Sequence, residues 1–133
     1  MLVSPETIAP SQNFLKEKTV KFILACLREE DFDDLPPTPL VRKDGNGKLV
    51  AIDGHNLIAV RLFRKEDVEV LVAESPEDGL PPTTEANILR NQELATKYDT
   101  VLDERRKVEA EGIITFADLI AQHQSLFAET STA

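Results

Sequence analysis

Asp53, Gly54, His55 and Asn56 are the residues whose types and spacing best fit chemistry. A carboxylate, an imidazole and a carboxamide surround one glycine within four consecutive positions. A histidine of ordinary pKa, about 6.5, gives or takes a proton near neutrality. A carboxylate beside it can orient the ring, or hold a Mg²⁺ that bridges phosphate oxygens. Glycine lets the main chain adopt a positive φ and lets a ligand approach the backbone closely. His55 and Asp53 are therefore the candidate catalytic pair, and Asp53 is the candidate metal ligand. Gly54, His55 and Asn56 are candidates for holding phosphate.

The flanking residues say how this turn is positioned. Leu49 to Ile52 is a short apolar run that reads as a buried strand. Beyond the turn, Ile58, Ala59, Leu62 and Phe63 recur at helical spacing. A strand enters and a helix leaves, which sets free N–H groups and the positive end of a helix dipole at one spot. Such a place binds anions, phosphate above all. Arg61, one turn along the same helix, is a further phosphate-binding candidate if it reaches back. The competing reading is a plain strand–helix junction in which His55 and Asn56 only cap the helix.

The 133 residues suit one domain with a helical extension. The lone cysteine, Cys26, excludes an internal disulfide framework and a cysteine-based zinc site. It reads as a buried, inert thiol. Met1 to Pro10 shows neither the basic start nor the apolar run of an export signal. No apolar stretch approaches transmembrane length. A reducing cytoplasm and no membrane partner are expected. Net charge is −9 and unevenly placed. Residues 1–72 carry 10 basic against 12 acidic side chains, and residues 73–133 carry 5 against 12. The acidic second half repels nucleic acid, so weak or no binding of duplex DNA is expected.

Taken in order, a short strand is expected near Glu6–Ile8. A helix over Phe14–Arg28 should bury Leu15, Thr19, Phe22, Ile23, Cys26 and Leu27. Glu29 to Asp34 reads as a solvated acidic loop without the ligand spacing of a calcium loop. Pro39–Arg42 and Leu49–Ile52 read as antiparallel strands joined by a hairpin at Asp44-Gly45-Asn46-Gly47. Val68, Val70 and Val72 mark one more strand. The fold class is α/β of the α+β kind: a small mixed, largely antiparallel sheet with packed helices and a C-terminal helical extension. Its parts are an α/β domain at 1–74, a proline-rich loop at 75–84, helices at 85–128 and a frayed tail at 129–133. Thr83 or Thr84 caps the first of those helices and Gly112 ends it. Thr115 caps the second, with Phe116, Leu119, Ile120 and His123 on one face. Phe116 to Phe127 holds no lysine or arginine, so it is a packing or dimer helix and not a DNA-reading one. His123 reads as a surface residue.

Several of these segments, in this order, resemble the ParB/sulfiredoxin fold family in its ParB-like nuclease-domain branch. The resemblance spans about residues 4–74. It is carried by Ile8-Ala9-Pro10-Ser11-Gln12-Asn13-Phe14, the first helix, and Leu35-Pro36-Pro37 leading to the hairpin. Ala51-Ile52-Asp53-Gly54-His55 then opens a helix that runs toward Val68–Val72. The family's turn reads Asp-Gly-His-His-Arg or Gly-x-Arg-Arg. Its members include CTP-binding and CTP-hydrolysing partition proteins, nucleases, and the ATP-using sulfiredoxins. The resemblance implies a nucleotide or other phosphorylated small molecule at the turn, with a nucleoside triphosphate and Mg²⁺ as cofactor. Here the family's second histidine is Asn56 and its arginine is Leu57, so a bidentate phosphate clamp is missing. Leu57→Arg should restore it. The sulfiredoxin cysteine would fall at His55, which excludes that reaction. Two readings follow. One is a nuclease or nucleoside-triphosphate hydrolase using His55 and Asp53. The other is a catalytically degenerate module that forms a homodimer or binds a protein partner through residues 85–128.

Overall fold

The hairpin at Asp44–Gly47 is the seed of the sheet. The computed structural model describes residues 1–73 and 100–127, and it closes this turn with Asp44 N–H to Lys48 O (2.8 Å) and Gly47 N–H to Asp44 O (3.0 Å). Gly47 takes φ +80° there, which explains a glycine at that position. The strands so joined are β3 (Leu40–Lys43) and β4 (Leu49–Asp53). Before them come β1 (Leu2–Val3), β2 (Ile8–Ala9) and helix α1 (Glu17–Arg28). After them come helix α2 (His55–Phe63), β5 (Val68–Glu69) and β6 (Leu71–Val72). Residues 100–110 are helical, here α3, and α4 spans Phe116–Gln122. The fold is mixed α+β.

The main sheet has the order β2-β4-β3-β6, while β1 and β5 form a separate antiparallel ribbon. Only the central β3–β4 ladder of the main sheet is antiparallel; both outer ladders are parallel. The sheet is mixed, as expected, but less antiparallel than expected. A hairpin signal identifies strands adjacent in sequence, whereas β2 and β6 reach the sheet through α1 and α2, and such crossovers give parallel pairing. The single strand expected at Val68–Val72 is likewise two: β5 pairs with β1, and β6 with β3. They part at Val70, whose N–H goes to Met1 O.

β4 is buried on both faces. Leu49 and Ala51 join α1 and α2 in one core with Val20, Ile23, Ile58 and Val60. Val50 and Ile52 face the other way, against Ala9 and Val101 of α3. A central strand packed on both sides needs a continuous apolar run, and Leu49–Ile52 is one.

α1 starts later than expected, because Lys16 is extended, with ψ 115°. Its buried stripe is Val20, Ile23, Leu24, Cys26 and Leu27. Phe22, expected in that stripe, is 50% exposed. Val20 and Leu24 take the inner positions instead. Cys26 is buried, and burial followed by the charges of Asp31, Asp34 and Glu29 pushes its thiol pKa up. That keeps it protonated and unreactive.

Val108 and Ile113, together with Phe116, Leu119 and Phe127, lie in the same core as α1 and α2. The described part of the C-terminal extension therefore packs into the α/β core and does not stand apart from it. Gly112 ends α3 with φ +88°. Thr115 opens α4 through a capping box with Asp118. The expected proline-rich loop at 75–84, the expected start of a helix at 85 and the expected tail at 129–133 lie outside the described residues. No helix among the described residues is long and apolar enough to cross a membrane.

Candidate functional site

The turn at the end of β4 is built as the sequence implies, but its side chains face inward. Gly54 stands at the N-cap of α2 with φ +89° and ψ 23°. That conformation favours glycine, and a second constraint acts on the same residue. A Cβ at Gly54 would lie 2.7 Å from Pro39 Cβ and 2.8 Å from Pro39 Cα. The close approach that glycine permits is thus taken by the chain's own Pro39, just before β3.

His55 is 3% exposed. Its Nε2 accepts the Ser11 N–H at 2.9 Å, so the neutral ring carries its proton on Nδ1. Phe116 of α4 packs against the imidazole with ring centres 5.6 Å apart. Burial lowers the His55 pKa to about 4, against a smaller upward pull from Asp53. At neutral pH the ring is uncharged and acts as an acceptor. Ser11 Oγ is 3.3 Å from Nε2, the spacing of a nucleophile and its base. Its hydroxyl, however, donates to Ala51 O at 2.6 Å, and Ser11 and His55 are both buried. The pair stitches the segment after β2 to β4 and α2.

The other candidates are engaged as well. Asn56 Oδ1 accepts the Lys16 N–H at 2.9 Å, which ties the first turn of α2 to the start of α1. Arg61 lies in the last turn of α2 and pairs with Glu66 at 2.7 Å. The structure does not bring it back to the turn. Asp53 is exposed at the end of β4, paired in register with Leu40. Gly54, His55, Asn56 and Asp53 are together by sequence; Arg61 is elsewhere. Leu57, where the resemblance expects an arginine, is 6% exposed and part of the main core. Leu57→Arg would bury a guanidinium there, so the expectation that it restores a phosphate clamp is corrected.

The turn offers the phosphates of a Mg²⁺–nucleotide little to hold them: His55 is buried, Asn56 is bonded to Lys16 and Pro39 covers Gly54. Asp53 is the single carboxylate of the turn, and no group of three His, Cys, Asp or Glu among the described residues could hold a metal ion. Among the described residues, two surface clefts lie away from the turn. One, of about 390 Å³, runs between Ser4–Glu6 and the far end of α2. The other, of about 260 Å³, lies between the hairpin and α3.

The residues that govern the turn were not among the expected ones. Ser11 stood only within the segment Ile8–Phe14 that carries the resemblance, and no local pattern points to a partner 44 positions away. Pro39 gave no signal beyond opening a strand. Arg105 did carry one: it falls on the same helical stripe as Val101 and Val108. It is 6% exposed. Its Nη1 donates to Pro10 O (2.8 Å) and Ile113 O (2.9 Å), and its Nη2 to Ile114 O (2.8 Å). Beside it, Asn13 donates to Glu111 and its carbonyl lies 2.9 Å from His123 Nε2. The C-terminal segment thus holds residues 10–13 on both sides of Ser11. Comparison with protein-family models, with curated proteins and with solved structures finds no match to this chain.

Proposed function

We propose that the chain is a ParB/sulfiredoxin-like module whose phosphate-binding turn has become an internal joint. It acts by binding a protein and not as a nuclease or nucleoside-triphosphate hydrolase. One observation carries this reading: His55 is buried, with Nε2 accepting the Ser11 amide. A base in that setting cannot reach a substrate proton without breaking the fold. Pro39 over Gly54, Asn56 on Lys16 and Arg61 on Glu66 support it. The net charge of −9 supports a partner other than duplex DNA. Exposed phenylalanines around α1 (Phe14 before it, Phe22 on it, Phe32 after it) supply apolar contact surface. The apolar stripes of the described C-terminal helices are used inside the core, so α1 takes the role first expected of residues 85–128.

The test is calorimetric titration with CTP, ATP and pyrophosphate, with and without Mg²⁺, alongside a phosphate-release assay. The expected outcome is no saturable binding at millimolar ligand and no release above buffer. Micromolar binding that His55→Gln removes while leaving the circular dichroism spectrum unchanged would overturn the reading. Sedimentation of wild type and Phe22→Asp then shows whether the partner is a second copy of the chain.

A further inference from the structure

We propose that Asn46 is a site of spontaneous covalent modification, converting to aspartate and isoaspartate through a cyclic imide with Gly47. The Gly47 amide nitrogen attacks the Asn46 side-chain carbonyl carbon. A C–N bond forms, the proton leaves the Gly47 nitrogen, and the side-chain nitrogen departs as ammonia. Water then opens the five-membered ring at either carbonyl. Attack at the former side-chain carbonyl regenerates a normal aspartyl bond. Attack at the main-chain carbonyl leaves the chain running through the side chain, as isoaspartate. Water is the only co-reactant.

The reaction requires an unhindered nitrogen, a mobile carboxamide and an intramolecular approach, which raises the effective concentration of the attacking group. Glycine after asparagine meets the first requirement, since no Cβ shields the nitrogen. Asn46 is the one asparagine of the chain followed by glycine; Asn13, Asn56, Asn87 and Asn91 precede Phe14, Leu57, Ile88 and Gln92. Surroundings meet the second. Asn46 and Gly47 are exposed, and nothing lies within 4 Å of a Cβ built at Gly45 or Gly47. The Asn46 carboxamide has no partner among the described residues, whereas Asn56 is held on Lys16 and Asn13 on Glu111. One contact opposes the reaction: the Gly47 N–H is bonded to Asp44 O at 3.0 Å. Opening of that turn bond is the gate, and the turn is exposed enough to open.

The place of the modification gives it consequence. Asp44 Oδ1 already accepts the Asn46 and Lys48 N–H groups at 2.8 and 3.0 Å, so a new carboxylate at Asn46 repels it. Isoaspartate also lengthens the main chain inside the turn that sets Lys43 opposite Leu49 and Arg42 opposite Val50. β4 is the strand buried on both faces, and it leads directly to Asp53 and His55.

The test is ageing of the folded protein in mildly alkaline buffer, with peptide mass spectrometry and an isoaspartate assay at intervals. The expected result is a mass gain of amide-to-acid conversion that arises first in the peptide containing Asn46. Isoaspartate is expected in that peptide, an acidic species on ion exchange, and a lowered melting temperature of that species. Asn46→Gln keeps the carboxamide but would need a six-membered ring, and it should abolish the early gain while preserving the melting temperature. Two results would overturn the proposal. One is first conversion at another asparagine. The other is no conversion in the folded protein over a time in which the urea-unfolded chain converts fully, which would mean the turn bond protects the site.

Discussion

A single imidazole decides how the central turn is understood. His55 is an uncharged acceptor, and charging it would set a ring N–H against the Ser11 N–H that it now accepts. Its pKa falls from an ordinary 6.5 to about 4 on folding, chiefly through burial. The unfolded chain therefore takes up the proton at higher pH than the folded one does. Stability from this group is complete above about pH 6.5 and is lost as pH falls through about 4. The full effect is on the order of 3 kcal/mol, since each tenfold change in proton affinity is worth roughly 1.4 kcal/mol. Urea unfolding of wild type and His55→Gln measures it across that window. The wild-type curve should fall more steeply toward acid than the variant's. Parallel curves would mean that the imidazole is not desolvated. Leu57 teaches the same lesson at the neighbouring position. Where the resemblance expects an arginine, this chain presents a core leucine, and no charge can be inserted without disturbing Ile58 and Val60, which lie in the same core.

Strand, turn and helix together were readable where the cue is local. The hairpin at Asp44–Gly47, the strand into Gly54 and the cap at Thr115 each depend on neighbours a few residues apart. The parallel placement of β2 and β6, the exposed side of Phe22 and the bond from Ser11 to His55 depend on partners far along the chain, and periodicity cannot express them. Helix ends hold a second kind of local cue that is easy to pass over. α1 and α2 both close through a residue of positive φ that is not glycine: Glu30 at 57° and Lys65 at 60°. Asp31 N–H returns to Cys26 O, and Glu66 N–H to Arg61 O, the bond pattern of a helix end that glycine usually supplies. A side chain in this region costs about 1–2 kcal/mol, while glycine adds roughly 0.4–1 kcal/mol of freedom to the unfolded chain. Glu30→Gly and Lys65→Gly should each stabilise by about 0.5–1 kcal/mol, the difference between those terms. Gly112→Ala, at φ +88° with open space around it, should destabilise. Denaturant midpoints read all three, and a loss of stability in both glycine variants would show that their side chains make contacts worth more than the backbone strain.

At the scale of the whole molecule, the question is whether the C-terminal helices can come away from the α/β part. The packing says that they cannot. Phe116 and Leu119 are fully buried among residues of α1 and α2. Arg105 crosses the same boundary with polar bonds, joining α3 to Pro10 and to the turn after Gly112. Its guanidinium serves three carbonyls from one plane and leaves Nε for Glu109 at 2.9 Å. A lysine has three donors on one nitrogen and cannot span that set. Arg105→Met would leave buried carbonyls without donors and should cost about 3–5 kcal/mol, with Arg105→Lys recovering little of it. The decisive measurement is where the loss appears. In a single cooperative unit, hydrogen exchange quickens together for amides of α1, β4 and α4, because Pro10, Ser11 and His55 connect them. If α4 exchanged freely while α1 and β4 kept their protection, the helices would be an appendage and the shared core would not be what holds them. The joint at His55 makes the first outcome the expected one: Phe116 packs on the imidazole, Ser11 bonds it, and Arg105 holds the carbonyl that precedes Ser11. Loosening the outermost of these contacts should loosen the ring, and through Ala51 and Asn56 the strand and helix on either side of it.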